Sequence, residues 1–192
     1  MRRILFVCTG NTCRSPMAES MMRHLMKERG IEAEVRSAGV SAWNGTPMSD
    51  HAQQVLQHRK MDNPDFSSQL LSASLVEWAD LVLTLTSGHK RHVLQLFPEV
   101  SEKTFTLNEY ANQSQQDSSL EEWTSFTAEL QMKIAQGIQP TEEEITRYYT
   151  LQQKLPNMDI ADPYGGSLED YQMTAQEIEA AINKILDQFL EN

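Results

Sequence analysis

Short apolar runs and amphipathic stretches alternate along most of the chain. Two continuous apolar runs, Ile4–Val7 and Leu81–Leu85, predict buried strands, and Glu34–Ser37 and Thr104–Leu107 are shorter candidates. Ser15-Pro16 predicts the start of the first helix, with serine as its N-cap and Gly30 at its end. Further helices are predicted over Met48–Lys60, His89–Phe97 and Thr174–Leu190. This alternation indicates an α/β fold with a parallel sheet and helices on both faces.

A different pattern follows the polar linker Asn112–Gln116. Ser118–Ala135 and Thr141–Leu155 predict two amphipathic helices. A capping box opens each of them: Ser118 with Glu121, and Thr141 with Glu144. We interpret residues 112–158 as a helical hairpin inserted into a single domain that spans residues 1–192. The hairpin is expected to fold onto the domain, cover its functional site, bind a partner or mediate self-association.

Composition narrows the class of protein. The formal net charge of -11 argues against a nucleic-acid partner, because such proteins usually present a basic face. No stretch is long and apolar enough to span a bilayer, and the apolar run after the basic start is too short for a signal peptide. Two cysteines, Cys8 and Cys13, are too few for a secreted disulfide framework. We therefore expect a cytoplasmic protein without a membrane partner.

The segment CTGNTCRS, from Cys8 to Ser15, joins the first strand to the first helix. Successive backbone amides in a tight loop form an anion-binding nest, and the helix adds its positive end. Gly10 is expected to supply torsions that a residue with a Cβ resists, and Arg14 to hold two phosphate oxygens. These groups should lower the pKa of the Cys8 thiol and make it a nucleophile. The alternatives are a buried cysteine at a strand end and a surface ion pair for Arg14.

Other candidate residues are less distinctive. Asp162 lies in the loop sequence DPYGG, where a carboxylate can reach a cleft, and Asp159 is its rival as a general acid. Surface solvation is the ordinary role of either aspartate. His89 and His92 lie three residues apart on one predicted helix. Because no third ligand is evident, we expect surface positions for both, and neither a metal nor a cofactor.

The loop resembles that of the low-molecular-weight protein phosphatases, C-x5-R-[ST] near the N-terminus, which here reads CTGNTCRSP. The likeness covers most of the chain except Asn112–Met158. Its further segments are Ser37-Ala38-Gly39 with Trp43, Trp78–Leu85, Lys90–Pro98 and Asp162-Pro163-Tyr164. The resemblance implies a four-stranded parallel sheet flanked by helices, and a cysteine-dependent phosphatase acting on phosphorylated proteins through a phosphocysteine.

The same resemblance implies a role for each site residue. Cys8 would attack phosphorus, while Arg14 and the loop amides stabilise the transition state. Asp162 would protonate the leaving group and then activate water. Ser15 would donate a hydrogen bond to the Cys8 sulfur, and Asn11 would hold the loop's shape. The implied substrate-binding residues are Thr9, Gly10, Asn11, Thr12, Cys13, Trp43 and Tyr164.

Thr12 and Cys13 bear on specificity and regulation. Family members that act on phosphotyrosine commonly have isoleucine where this chain has Thr12, whereas bacterial protein-arginine phosphatases have threonine. A hydroxyl offers a polar contact to a donor-rich guanidinium, so phosphoarginine is favoured over phosphotyrosine. In the family, a cysteine at the place of Cys13 can form a reversible disulfide with the nucleophile. A packing role behind the loop is the alternative.

Two other functions share this loop. A thiol-dependent arsenate reductase needs further cysteines, and only Cys13 is available besides Cys8. A phosphate-binding adaptor built on an inactive phosphatase would have lost Cys8, Arg14 or Asp162, and all three are present. The sequence therefore favours an active phosphatase over both.

Overall fold

The structure is a computed structural model that describes residues 2–113, 118–154 and 157–191. The chain divides into two compact units. One unit comprises Met1–Ala111 and Met158–Asn192, and the other comprises Asn112–Asn157.

The larger unit contains a sheet of four strands that pair in parallel, in the order β2-β1-β3-β4. The strands are β1 Arg2–Cys8, β2 Ala33–Gly39, β3 Leu81–Thr84 and β4 Thr104–Thr106. The predicted four-stranded parallel sheet is confirmed. Ile4–Val7 is wholly apolar because both faces of the central strand β1 are buried.

Eight α-helices are described. They are α1 Arg14–Glu28, α2 Asp50–His58, α3 Ala73–Trp78, α4 Ser87–Leu96, α5 Leu107–Ala111, α6 Ser118–Ala135, α7 Glu142–Lys154 and α8 Leu168–Glu191, with a 3₁₀ helix at Pro98–Lys103. Sequence periodicity missed α3 and α5, which are too short to show a repeat. The predicted N-cap is also wrong: α1 begins at Arg14 with Cys13 as N-cap, so Ser15 lies inside its first turn.

Alternate residues of β1 enter two different apolar clusters. Ile4 and Phe6 belong to the larger cluster, which includes buried apolar residues of α1, α2 and α8. Leu5 and Val7 belong to the smaller one, with residues of α3, β3 and α4. Since successive side chains of a strand point to opposite faces, the sheet has a helical layer on each side.

Parallel pairing brings the carboxyl ends of the strands to one edge of the sheet. The loop after β1 begins there at Cys8, and the loop that leads into α4 follows β3 at the same edge. The backbone N–H of Ile160 donates to the carbonyl of Leu85 at 2.8 Å. This bond brings the segment around Asp162 to the edge where a parallel sheet forms its ligand site.

The smaller unit is a pair of helices, α6 and α7. The rings of Trp123 and Tyr148 lie 4.8 Å apart between centroids, and Lys133 pairs with Glu144 at 2.5 Å. The capping box of α7 is present, with reciprocal bonds between Thr141 and Glu144. The other predicted capping side chains, those of Ser118 and Glu121, and the predicted helix end at Leu155 lie outside what the structure describes. Over the described ranges, no helix has the length and apolar character needed to cross a membrane.

Candidate active site

The Cys8–Ser15 loop is held by its outward-facing carbonyls. The carbonyl of Cys8 accepts from the backbone N–H of Val40, and that of Thr9 accepts from Ser41, each at 2.9 Å. The carbonyl of Thr12 accepts from the N–H of Ser49 at 2.9 Å. In a trans peptide the N–H points opposite to the carbonyl, so the next amides along the chain face the other side of the loop. The arrangement orients several N–H groups as an anion-binding nest.

Cys8 ends β1, and its sulfur lies against the first turn of α1. Its Sγ lies 2.9 Å from Ser15 Oγ and accepts the backbone N–H of Asn11 at 3.3 Å. The side chain of Asn11 donates from Nδ2 to Ser15 Oγ at 2.9 Å. Ser15 Oγ accepts this bond, which leaves its own proton available to the Cys8 sulfur.

Asn11 connects the loop to the protein behind it. Its Nδ2 also donates to Ser37 Oγ at 2.8 Å, and its Oδ1 accepts the backbone N–H of Gln69 at 2.8 Å. Ser37 in turn donates to the buried carboxylate of Glu19, which Arg23 pairs with at 2.7 Å. The bond from Gln69 identifies Oδ1 of the Asn11 amide, so the other end, Nδ2, is the donor to both Ser15 and Ser37.

The strained torsion of the loop belongs to Asn11. Its φ is 53°, in the left-handed region that asparagine tolerates, whereas Gly10 has no positive φ. Among the described residues, the atom nearest to a Cβ on Gly10 would be Thr12 Oγ1, at an ordinary contact distance of 3.6 Å. The expectation that Gly10 supplies a torsion unavailable to other residues is therefore wrong.

Gly39, at the end of β2, is the glycine that the loop requires. A Cβ there would lie 2.4 Å from the carbonyl oxygen of Thr9 and 2.9 Å from the backbone nitrogen of Asn11. Both atoms belong to the backbone of the loop and cannot turn away. The loop lies so close to β2 that only a residue without a side chain fits between them.

Arg14 and Asp162 pair beside the loop. Arg14 Nη2 lies 2.9 Å from Asp162 Oδ2, and Arg14 Nη1 donates to the carbonyl of Ile160 at 3.3 Å. The Arg14 side chain is 7% exposed, whereas that of Asp162 is 57% exposed. Asp162 also accepts the backbone N–H of Tyr164 at 3.2 Å, which stabilises the turn that carries it.

Asp159 has a different place. Its Oδ1 accepts from the backbone N–H of Ser87 at 2.6 Å and from Ser87 Oγ at 2.7 Å. Its carboxylate therefore binds the N-terminal turn of α4, where negative charge is favourable. Asp159 anchors the acid-bearing segment to α4, and it is not among the residues that line the cavity beside Cys8.

A cavity of about 310 Å³ opens over the loop. Its lining consists of Cys8, Thr9, Gly10, Thr12, Cys13, Arg14, Asp162 and Tyr164. Within the described residues, two of the predicted substrate contacts lie outside this lining. Asn11 is fully buried behind the loop, and Trp43 is 85% exposed, away from the lining. Tyr164 lines the cavity and is 80% exposed, so it lies at the cavity's outer end.

Opposing influences act on the Cys8 thiol. Burial is the largest and raises the pKa of Cys8 above its ordinary value. The hydrogen bonds from Ser15 and Asn11 and the charge of Arg14 lower it. The expectation of a lowered pKa is therefore wrong in its net direction, because it left out the desolvation of a sulfur that the fold buries.

Cys13 contacts polar groups on the side of the loop that faces α2 and α8. Its Sγ lies 3.2 Å from the hydroxyl of Tyr171 and 3.5 Å from Ser49 Oγ. Burial raises the pKa of Tyr171 to about 12, so this hydroxyl keeps its proton. Both cysteines are free thiols in the structure.

His89 is a residue that sequence reasoning placed wrongly on the surface. It is 8% exposed, and its ring lies between the Cys8–Ser15 loop, which we call the phosphate loop, and the first turn of α4. Its Nε2 lies 2.8 Å from Thr9 Oγ1. Thr86, the N-cap of α4, stands three residues earlier, and β3 ends beside β1. The three-residue spacing from Thr86 to His89 is typical of a helix N-cap, and the ends of β1 and β3 share one edge of the sheet. Together these two signals could have predicted that His89 lies beside the loop.

Comparison with known proteins agrees with this geometry. Residues 3–125 match the family described as low molecular weight phosphotyrosine protein phosphatase. The protein-arginine-phosphatase of Geobacillus stearothermophilus is 34% identical over 185 residues, 96% of this chain and 94% of the relative. The protein-tyrosine-phosphatase PtpB of Staphylococcus aureus is 28% identical over 96% of this chain and 97% of the relative.

A solved structure gives the same fold. It is a mutant of the YwlE arginine phosphatase with a phosphorylated active-site serine, and it superposes with a TM-score of 0.73 at 29% identity. The match covers 99% of this chain and 97% of that chain. The likeness therefore extends over the whole length of both chains.

Proposed function

Because the chain belongs to the low molecular weight phosphotyrosine protein phosphatase family, we propose that it hydrolyses phosphorylated protein side chains through a phosphocysteine on Cys8, with phosphoarginine preferred. The observation that carries this proposal is the convergence of Cys8, Arg14 and Asp162 on one cavity. A nucleophile, an anion-binding cation and a proton donor are the groups that phosphoryl transfer requires.

In the first step, the Cys8 sulfur attacks phosphorus as the bond to the leaving nitrogen or oxygen breaks. Cys8 reacts as a thiolate, its proton having passed to solvent before the attack, and the protonated Asp162 carboxyl gives its own proton to the departing atom. Arg14 and the N–H groups of the loop bind the equatorial oxygens, where negative charge develops. The nearly complete burial of Arg14 strengthens this interaction by excluding water.

In the second step, a water molecule attacks phosphorus and the S–P bond breaks. Asp162 accepts the proton that the water loses, and inorganic phosphate leaves. The sulfur departs as a thiolate, which the hydroxyl of Ser15 stabilises by donating its proton in a hydrogen bond at the observed 2.9 Å contact. Asn11 supports this step indirectly, because its amide fixes the orientation of the Ser15 hydroxyl.

The preference for phosphoarginine rests on Thr12. Thr12 lines the cavity together with Cys8 and Asp162, so a hydroxyl-bearing residue and a carboxylate-bearing residue belong to the same cavity. A guanidinium is planar and rich in N–H donors, and these oxygens are acceptors for it. The full-length relative with the higher identity is named an arginine phosphatase, which supports the same choice.

The test compares kcat/KM on matched phosphoarginine and phosphotyrosine peptides. Wild-type protein should prefer phosphoarginine, and Thr12→Ile should move the ratio toward phosphotyrosine by about tenfold or more. Thr12→Val keeps the size of threonine without its hydroxyl. Comparing it with Thr12→Ile therefore separates the effect of side-chain polarity from the effect of side-chain size. A wild-type preference for phosphotyrosine that Thr12→Ile leaves unchanged would refute the arginine assignment, and turnover by Cys8→Ser would refute the mechanism.

The peptide around the phosphorylated residue is proposed to contact Tyr164 and, beyond the cavity, Trp43. Both aromatic side chains are largely exposed, and aromatic residues of this kind often form the anchors of protein interfaces.

Two free cysteines and the acidic composition support a cytoplasmic location for the enzyme.

The hairpin of α6 and α7 is proposed to be a contact surface for a protein partner or a second copy of the chain. Its exposed large apolar side chains include Met132, Ile134, Ile138, Ile145 and Tyr149. Sedimentation analysis tests self-association: Met132→Glu should weaken it, and Gln131→Glu on the same helix is the control. A wild-type protein that stays monomeric at every concentration refutes self-association.

A further inference from the structure

We propose that His89 is a positioning residue that orients the hydroxyl of Thr9 as a hydrogen-bond donor to the phosphoryl group of the substrate. The inference rests on the proposed phosphatase function and extends its binding site by one donor. It assigns a purpose to a buried imidazole that the two chemical steps do not use.

The ring of His89 bridges two hydroxyl groups. Its Nε2 lies 2.8 Å from Thr9 Oγ1, and its Nδ1 lies 2.9 Å from Thr86 Oγ1. Thr86 Oγ1 also accepts the backbone N–H of His89 at 3.2 Å, as the N-cap of α4. The ring is therefore held at both ends, once by the helix that carries it and once by the phosphate loop.

These contacts favour one position for each proton. Because Thr86 Oγ1 accepts a backbone N–H, the proton of its hydroxyl is available to Nδ1 of His89. A neutral imidazole that accepts at Nδ1 carries its proton on Nε2 and donates it to Thr9 Oγ1. Thr9 Oγ1 then acts as acceptor toward the ring, and its own proton turns away from His89. Among the described residues, the side chain of His89 is the hydrogen-bond partner of Thr9 Oγ1.

The electrostatic surroundings keep the imidazole neutral. Burial and the charge of Arg14 lower the pKa of His89 to about 4, while Asp162 and Asp159 act in the opposite direction. A single ring proton on Nε2 is the state that the bridge requires. With Arg14 already supplying the positive charge of the site, His89 contributes a directed dipole instead.

The position of Thr9 decides what its hydroxyl binds. Thr9 follows Cys8 directly in the chain and lines the same cavity. The hydroxyl is therefore expected at the phosphoryl end of the cavity, whereas the exposed Tyr164 lies at the outer end. A phosphoryl oxygen accepts a hydroxyl proton strongly because it is charged.

Binding of inorganic phosphate, measured by calorimetry, tests this without turnover. Thr9→Val should weaken phosphate binding by about tenfold, the loss expected for one hydrogen bond to a charged group, and Thr9→Ser should retain most of it. His89→Leu should weaken binding to a similar degree, whereas His89→Gln, which can place an N–H near Nε2, should weaken it less. His92→Leu on the exposed face of α4 is the matched control and should leave binding unchanged.

A double-mutant cycle separates positioning from a structural role. If His89 acts through Thr9, then His89→Leu has little further effect on phosphate binding in the Thr9→Val background. Additive losses, or a Thr9→Val protein that binds phosphate like wild type, would overturn the inference. So would an imidazole nitrogen NMR spectrum with the proton on Nδ1. Absence of hydrolysis by wild-type protein would instead overturn the proposed function, since phosphate binding is measured independently of it.

Discussion

Arg14 Nη2 and Asp162 Oδ2 lie 2.9 Å apart, so the anion-binding cation and the proposed proton donor are paired with each other. Arg14 is nearly buried and Asp162 is largely exposed, which makes the carboxylate the partner that can move. We expect a phosphoryl group in the cavity to compete with this carboxylate for the guanidinium, so that binding of the anion would release Asp162 toward the leaving group.

Asp162→Asn should slow hydrolysis in proportion to how poor the leaving group is. An amide cannot donate the proton that a poor leaving group needs, so turnover of a phosphopeptide should fall by about 10²-fold or more. With p-nitrophenyl phosphate, whose leaving group departs without help, the loss should be much smaller. Steady-state kcat/KM on both substrates provides the measurement, because it reports the step in which the leaving group departs and not the later hydrolysis that Asp162 also assists.

Asp159→Asn is the matched control for this prediction. An asparagine oxygen can still accept the two bonds from Ser87, so both substrates should be turned over nearly as by wild type. If Asp159→Asn shows the leaving-group dependence and Asp162→Asn does not, then Asp159 is the proton donor and the assignment of Asp162 is wrong.

Ser15→Ala should make Cys8 a weaker nucleophile and a poorer leaving group. The hydroxyl of Ser15 lowers the pKa of the thiol, so its removal raises that pKa further. Alkylation of Cys8 by iodoacetamide at a fixed neutral pH should slow by about tenfold, and phosphocysteine should accumulate during turnover. Ser20→Ala is the control, because within the described residues Ser20 Oγ is buried without a hydrogen-bond partner. Equal alkylation rates in Ser15→Ala and wild type would contradict the proposed contact.

Gly39→Ala should distort the phosphate loop, whose backbone packs against Gly39 at the end of β2. The added Cβ would meet the backbone of Thr9 and Asn11 at less than ordinary contact distance, so β2 or the loop must shift. The free energy of unfolding should fall by about 2–3 kcal/mol, measured by denaturant titration. Gly10→Ala adds the same methyl group at a place where Thr12 Oγ1 would lie 3.6 Å away, an ordinary contact distance, and it should preserve stability. If Gly39→Ala has the same free energy of unfolding as wild type, the prediction is contradicted, because the loop must then accommodate the methyl group without cost.

His89 should make the protein less stable as the pH falls. Burial, Arg14 and His92 hold its pKa near 4, against 6.5 ordinarily, despite the opposing charges of Asp162 and Asp159. Below pH 6.5 the unfolded chain binds a proton that the folded chain excludes, so stability is lost until about pH 4. The free energy of unfolding should fall over this range by about 2 kcal/mol more in wild type than in His89→Leu. His92→Leu should keep the wild-type pH dependence, and an identical dependence in His89→Leu would contradict the shift.

Much of the fold and several members of the site follow from local patterns. The apolar run of β1, the phosphate-loop motif and the periodicity of α1 are encoded within a few residues of each other. The same holds for the helices of the hairpin, whose α6 spans Ser118–Ala135 as predicted. Local signals suffice in these places because strand burial, helix amphipathicity and a tight loop each depend on neighbouring residues.

The errors at the site share one physical origin. The local pattern assigned Ser15 as the helix N-cap, whereas Cys13 is the N-cap. The contact of the Ser15 hydroxyl with the Cys8 sulfur agrees with what the family resemblance implied. The prediction for Gly10 assigned a torsion that the surrounding hydrogen bonds give to Asn11. Each depends on residues far away in the chain, such as Gln69, that no local pattern identifies.

The amino-acid sequence alone predicts the Cys8–Ser15 loop, the parallel α/β architecture and the candidate proton donor, because each depends on a short motif or a regular period. The partners follow from tertiary packing: Asp162 with Arg14, Asp159 with the start of α4, and His89 with Thr9. It also decided that burial raises the pKa of Cys8. Hydrogen-bond partners and desolvation depend on which distant segments meet at the edge of the sheet, and that is settled only when the chain folds.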